Sequence, residues 1–181
     1  SHAHTDHAGG ARLLQERFGT RIVMSREDWD MADRALPAAI RPRRDIVMKD
    51  GDTLTLGDTT ITMYLTPGHT PGTISTIFTV TDGGVRHTVA TWGGTAFNWV
   101  NGPANYITPD RPAKFWFDTY AASAERFRNL AASAGADIVM DLPGGGGIGD
   151  PRDRDPAHVV ADLRDGYISP EAARQTYAHK P

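Results

Sequence analysis

Three of the chain's seven histidines fall in the opening stretch His2-Ala3-His4-Thr5-Asp6-His7, with an aspartate between the second and third. Imidazole nitrogens and carboxylate oxygens are the usual protein ligands of a hydrolytic zinc. His2 and His4 are two residues apart, so an extended segment presents both on one face, where they can reach a single ion. Asp6 and His7 follow where the chain should turn into a helix, aimed at a second point nearby. Gly9 and Gly10 keep bulk away from the backbone there. A histidine-rich end can also be the remnant of a purification tag. A tag rarely interleaves Asp and Gly-Gly and then runs into an amphipathic stretch such as Ala11-Arg12-Leu13-Leu14-Gln15-Glu16-Arg17-Phe18. The third candidate ligand is His69, in Thr66-Pro67-Gly68-His69-Thr70-Pro71-Gly72. A lone histidine is usually a core or surface residue. His69 is boxed by turn residues directly after a strand-like run, where functional side chains tend to stand.

Together the two stretches resemble the HxHxDH signature and the next histidine motif of the metallo-β-lactamase superfamily. The resemblance covers about residues 1 to 142. It implies an α/β fold, the αβ/βα four-layer sandwich, and a metal-dependent hydrolase cutting an ester, lactone, thioester or β-lactam-type bond. In the family a substantial sheet precedes the signature. The chain is therefore expected to form one domain over 1–181, the carboxy-terminal part of the fold and incomplete at its amino terminus. Its strands should form one sheet, with an exposed face open to association.

The resemblance also assigns the ligands. His2, His4 and His69 would give one zinc three nitrogens, and a water would complete the open tetrahedral site of a catalytic centre. Asp6 and His7 would serve a second ion. Many members place a metal-bridging aspartate in a Gly-Asp pair where this chain has Gly93-Gly94. The third subclass of zinc β-lactamases lacks that ligand too, so the layout is most similar to that subclass. A final histidine, often before proline, is matched here by Leu142-Pro143. One tight zinc and a weak or absent second site are expected. A bound zinc lowers the pKa of its water to about 7, and Asp6, as the catalytic residue, would orient that water or take its proton. With the second ion weak, amides should be poorer substrates than esters, lactones or thioesters. The two departures also leave open a degenerate, catalytically silent metal-binding domain of the same fold.

The elements that must hold these residues are legible in part. Residues 8 to 18 read as a helix with Leu13, Leu14 and Phe18 on one side, stopped by Gly19. Arg21–Met24 reads as a short buried strand, and Ser25 caps a helix over 26–36, with Asp28 at the third position of a weakened capping box. Pro37 ends it. Residues 37 to 45, with Arg41, Arg43 and Arg44, read as a solvated loop. Thr53–Leu56 and Thr59–Leu65 flank the turn dipeptide Gly57-Asp58 and predict a hairpin, as do Thr73–Thr81 and Val85–Thr91 around Asp82-Gly83-Gly84. His87 is read as structural. Trp92, Phe97, Trp99 and Tyr106 are expected either to line an apolar pocket or simply to pack, and Asn98 and Asn101 are candidates for bonding a substrate carbonyl. Asp118–Ala134 reads as an amphipathic helix with Tyr120, Phe127 and Leu130 inward, and Asp137–Met140 as a short buried strand. Two short helices, about 156–165 and 169–179, finish the chain.

Composition bounds the rest. The 181 residues, 39% hydrophobic, suffice for a real core, and a net charge of −3 gives no electrostatic case for nucleic acid. The absence of cysteine excludes disulfides and thiolate sites and fits either cytoplasm or periplasm. No apolar run approaches the about 20 residues of a spanning helix. The expected partner is a small-molecule substrate, not nucleic acid or a membrane.

Overall fold

The computed structural model describes residues 1–96, 106–141, 155–164 and 170–176. The chain divides into two compact units, Ser1–Gly145 and Gly146–Pro181. In the first, the opening stretch coils into a single turn, α1 (Thr5–Ala8), then α2 (Ala11–Phe18), β1 (Val23–Ser25) and α3 (Arg26–Ala35). There follow β2 (Ile46–Met48), the hairpin strands β3 (Thr53–Leu56) and β4 (Thr59–Leu65), and a second hairpin, β5 (Ile74–Asp82) and β6 (Val85–Trp92). A long helix, α4 (Ala113–Ser133), leads to β7 (Ile138–Asp141). The second unit contains α5 (Pro156–Arg164) and α6 (Pro170–Thr176).

Among the described residues the strands form two sheets, not the single sheet expected. β1 and β2 pair in parallel, and the other five run in the order β3-β4-β5-β6-β7. Within the five-stranded sheet only β6 and β7 are parallel, with Ala90 opposite Val139. Side chains alternate across a strand, which divides the core in two. Ile77 and Ala90 face α4, where they pack with Phe127 and Ala131. Met63 and Ile74 face the other way and pack with Met48 of β2 and Val23 of β1. Beyond β1, the helix α3 contributes Trp29, Met31 and Ala32 to a third cluster that also buries Ala3 and Ala8. The layers thus run α4, five-stranded sheet, two-stranded sheet, α3: the αβ/βα order.

Four expectations need correction. The helix predicted over 8–18 is broken at Gly9-Gly10, and its apolar side is exposed, Phe18 at 67%. β2 was not foreseen, because three residues carry no period of their own and pair only through tertiary contact with β1. α4 begins five residues before the expected start, directly after Pro112, whose fixed φ suits a helix entry. β7 is formed but not buried. It lies at a sheet edge, and Val139 is 74% exposed.

Candidate metal centre

The ends of three strands and one helix turn meet around the histidines. Ser1 pairs with Ile74 at the start of β5, its carbonyl accepting from the Ile74 amide at 2.8 Å, and this seats the extended segment His2–His4 beside the sheet. The loop after β4 carries His69. Ser123 of α4 donates to the Pro67 carbonyl at 2.7 Å. Gly68, at φ 141°, passes so close to α4 that a Cβ there would stand 2.5 Å from Tyr120 Cβ, so only glycine fits. The segment after β6, Gly93–Ala96, closes the third side.

Each of the three imidazoles has one nitrogen committed to a partner and one turned inward. His2 Nδ1 lies 3.0 Å from the Gly93 carbonyl, and His69 Nδ1 lies 2.9 Å from the Ala96 carbonyl. A carbonyl only accepts, so both Nδ1 atoms carry the proton and both Nε2 atoms present lone pairs. Ala96 holds its carbonyl there from a left-handed backbone, φ 79°, a conformation that costs a non-glycine residue about 1–2 kcal/mol. His4 is oriented the other way round. Its Nε2 lies 3.2 Å from Tyr106 Oη, whose hydrogen goes to Met31 Sδ at 3.1 Å. Nε2 therefore donates and Nδ1 is left bare. The bare atoms converge: His69 Nε2 is 3.0 Å from His2 Nε2 and 3.1 Å from His4 Nδ1.

Three lone pairs with no proton among them repel unless a cation lies between them. Burial also works against protonation. It pushes His2 down to about 2, with His69 as a second cause, and His4 down to about 4. His69 and His7 are lowered as well, burial again the main cause. Nitrogens about 2.0–2.1 Å from a tetrahedral zinc stand about 3.3 Å apart, close to the spacing seen. The donor set fits a zinc ion.

Asp6 and His7 stand beside this trio. With His2 they form a second group whose candidate ligand atoms lie within 4.8 Å of one another. His7 Nε2 is 3.7 Å from Asp6 Oδ2, and the Asp6 side chain is 56% exposed. The predicted residues are therefore brought together: His2, His4 and His69 tightly, Asp6 and His7 at the rim. Where the family often has its bridging aspartate, Gly94 leaves no room for a side chain. A Cβ there would meet His69 Cδ2 at 2.7 Å and His2 Nδ1 at 3.1 Å. Leu142, Phe97, Asn98, Trp99 and Asn101 lie outside the described residues. His87, read as structural, bonds Asp137 at 2.6 Å and so clasps β6 to the approach of β7.

Of the aromatics expected to line a pocket or pack, Trp92 does both. It stacks edge-on against Tyr120 at 5.5 Å and lines a hollow of about 530 Å³ with Tyr120, Phe127 and Val139, Thr95 and Asp141 also on its wall. Tyr106 does something the sequence did not reveal, setting the orientation of His4. Asp28 was also missed as a site residue. It is fully buried, and its only signal in the sequence was its place in the cap of α3.

Residues 1–82 match the family model described as the Metallo-beta-lactamase superfamily. Over 78 residues the chain is 40% identical to the hydroxyacylglutathione hydrolase of Acidiphilium cryptum, a match spanning 43% of this chain and 28% of that enzyme. Among solved structures, the native FEZ-1 metallo-β-lactamase of Legionella gormanii is 25% identical with a TM-score of 0.57, over 78% of this chain and 55% of that one. The subclass B3 metallo-β-lactamase BJP-1 of Bradyrhizobium japonicum is 25% identical with a TM-score of 0.52, over 93% of this chain and 60% of that one. In every case the match spans less than two thirds of the relative's own length.

Proposed function

The chain belongs to the metallo-β-lactamase superfamily, and from that premise we propose that it is a zinc-dependent hydrolase acting on a small ester, thioester, lactone or β-lactam-type substrate. The observation that carries the proposal is the convergence of His2 Nε2 and His4 Nδ1 on His69 Nε2, at 3.0 and 3.1 Å, with the candidate ligand atoms of the three residues all within 4.8 Å of one another. Those three atoms hold one ion, and each is kept unprotonated by what its other ring nitrogen bonds. Zinc in such a site supplies a Lewis acid and a water made acidic near neutral pH.

The remaining work falls to the chain. Asp6, exposed beside the trio, offers Oδ2 as the acceptor for the proton of an attacking water and helps to orient it. Its neighbour His7 stands with Nε2 3.7 Å from that carboxylate. The buried walls of Gly93, Gly94 and Thr70 keep bulk solvent from the back of the site. Asp6 and His7 offer a second ion only two ligands of their own, so its hold is weak and the departing group receives little help. Bonds with good leaving groups are therefore favoured over amides.

Hydrolysis should appear with chromogenic ester, lactone and cephalosporin substrates, or with a glutathione thioester, in the zinc-loaded protein. It should vanish with a chelator and in Asp6→Asn. Stoichiometric zinc without turnover of any of these would point instead to a silent metal-binding domain. The crowding of Gly94, which excludes a bridging carboxylate, is the feature on the side of that second reading.

A further inference from the structure

Asp28 touches none of the three inward nitrogens, yet it sits between the loops that bear them. It occupies the third position of α3 and is 1% exposed. Ser25 caps that helix, its Oγ accepting from the Asp28 amide at 3.1 Å. In a reciprocal capping box the third residue's side chain would turn back to the amide of the cap. Here it turns away. Asp28 Oδ2 accepts from the Ala3 amide at 2.8 Å and from the Thr70 hydroxyl at 3.0 Å, while Oδ1 accepts from the Gly72 amide at 2.9 Å. Ala3 lies between His2 and His4, and Thr70 follows His69.

The second loop is braced within itself and pinned to the same helix end at one further point. Thr73 Oγ1 accepts from the Thr70 amide at 2.9 Å, and Ser25 Oγ donates to the Gly72 carbonyl at 2.8 Å. The approach is backbone onto side chain with nothing between. A Cβ at Gly72 would stand 1.9 Å from Ser25 Oγ and 2.7 Å from Asp28 Oδ1. A buried carboxylate is a costly way to fill space, since a charge out of water is tolerated only when its lone pairs are met. Asp28 meets its requirement with three donors, two of them rigid backbone amides and all three on ligand loops. Its oxygens therefore fix how far apart the loops stand.

We propose that Asp28 is a positioning residue for the metal centre: it sets the separation between the His2–His4 segment and the His69 loop without touching the ion. The proposal rests on reading His2, His4 and His69 as the zinc ligands. Asparagine at position 28 keeps the shape but puts an NH₂ group against donors, and it should release one loop. Outer partners of metal ligands typically change affinity by about 10–100-fold.

The test is zinc affinity by chelator competition, together with the visible absorption of the cobalt-loaded protein. Variants are Asp28→Asn, Thr70→Val, His69→Ala and, as a destabilised control in the α4-facing core, Ile77→Ala. Asp28→Asn should bind zinc at least tenfold more weakly and lose intensity in the tetrahedral cobalt bands. Thr70→Val removes one donor of three, preserves the fold if Asp28→Asn does not, and should weaken zinc several-fold. Ile77→Ala should lower the melting temperature yet leave affinity and spectrum unchanged. Wild-type affinity and spectrum in both Asp28→Asn and Thr70→Val, with His69→Ala abolishing binding, would overturn the positioning role alone. An equal loss in Ile77→Ala would also overturn it, showing a general effect of stability. Unchanged affinity in His69→Ala would instead overturn the ligand assignment on which the proposal rests.

Discussion

Tyr106 Oη lies 3.2 Å from His4 Nε2 and passes its own hydrogen to Met31 Sδ. The chain of donors runs one way, from imidazole to phenol to thioether, and it leaves His4 Nδ1 without a proton. Burial raises the Tyr106 phenol well above its ordinary range, so it stays a neutral acceptor for the imidazole at any pH the protein meets.

Tyr106→Phe should therefore bind zinc about tenfold more weakly, in the range found for lost outer partners of metal ligands. The metal-free fold should lose only about 1 kcal/mol, the net worth of an ordinary hydrogen bond. Chelator competition and urea unfolding of the metal-free protein separate the two quantities. An unchanged zinc affinity would show that His4 keeps its orientation by packing alone.

The buried imidazoles predict how the metal-free protein responds to acid. His2 and His4, lowered from 6.5 to about 2 and about 4 by burial, bind protons more readily unfolded than folded. Their contribution is complete above about pH 6.5 and is lost as pH falls through the folded values. Asp28 acts in the opposite sense. Burial raises it from 3.8 to about 6, so its contribution is present below the unfolded value and lost as pH rises through 6. Between pH 5 and 6.5 the unfolded imidazoles take up protons that the folded ones refuse, and the two lowered histidines outweigh the single raised carboxyl. The urea midpoint should be clearly lower at pH 5 than at pH 7.5, and zinc should steepen the difference, because protons compete for the same nitrogens. Equal midpoints would mean that the imidazoles are solvated.

Gly94 offers a steric test. Alanine there would bring a Cβ within 2.7 Å of His69 Cδ2, and the ring cannot retreat without giving up its bond to the Ala96 carbonyl. Zinc retained after dialysis should fall well below one ion per chain in Gly94→Ala, with affinity down tenfold or more. Full retention would show that the His69 loop is free to move.

How far the sequence spoke for itself follows from the range of each interaction. That His2, His4 and His69 come together was legible because their spacing, turn residues and flanking strand pattern are local. The hairpins β3–β4 and β5–β6 were legible for the same reason. Gly19 and Gly135, both left-handed, marked helix ends correctly. β2 was not legible, since Ile46–Met48 is a strand only by virtue of β1. The first turn of α4 was hidden because Phe115, Trp116 and Phe117 stand in a row with no helical alternation to read. Asp28 and Tyr106 were invisible as site residues. Asp28 reaches partners 25 and 42 positions away, and Tyr106 lies 102 positions from His4. No local pattern encodes such contacts.

The final prediction concerns how many ions the chain retains. His2 belongs to both candidate ligand groups, but it has one bare nitrogen. The bond from its Nδ1 to the Gly93 carbonyl turns that nitrogen toward His69. The outer pair, Asp6 and His7, must then hold any second ion without it, and the exposed Asp6 carboxylate pays for that in competition with water. Purified protein dialysed against metal-free buffer should keep about one zinc per chain. His69→Ala should keep none, since two imidazoles do not fix the ion. Asp6→Asn should keep its one zinc and lose hydrolysis, because it alters the proton acceptor and leaves the trio intact. Two firmly retained ions in the wild-type chain would show that Asp6 and His7 recruit a further ligand. The site would then be dinuclear, and amides would return to the range of its substrates.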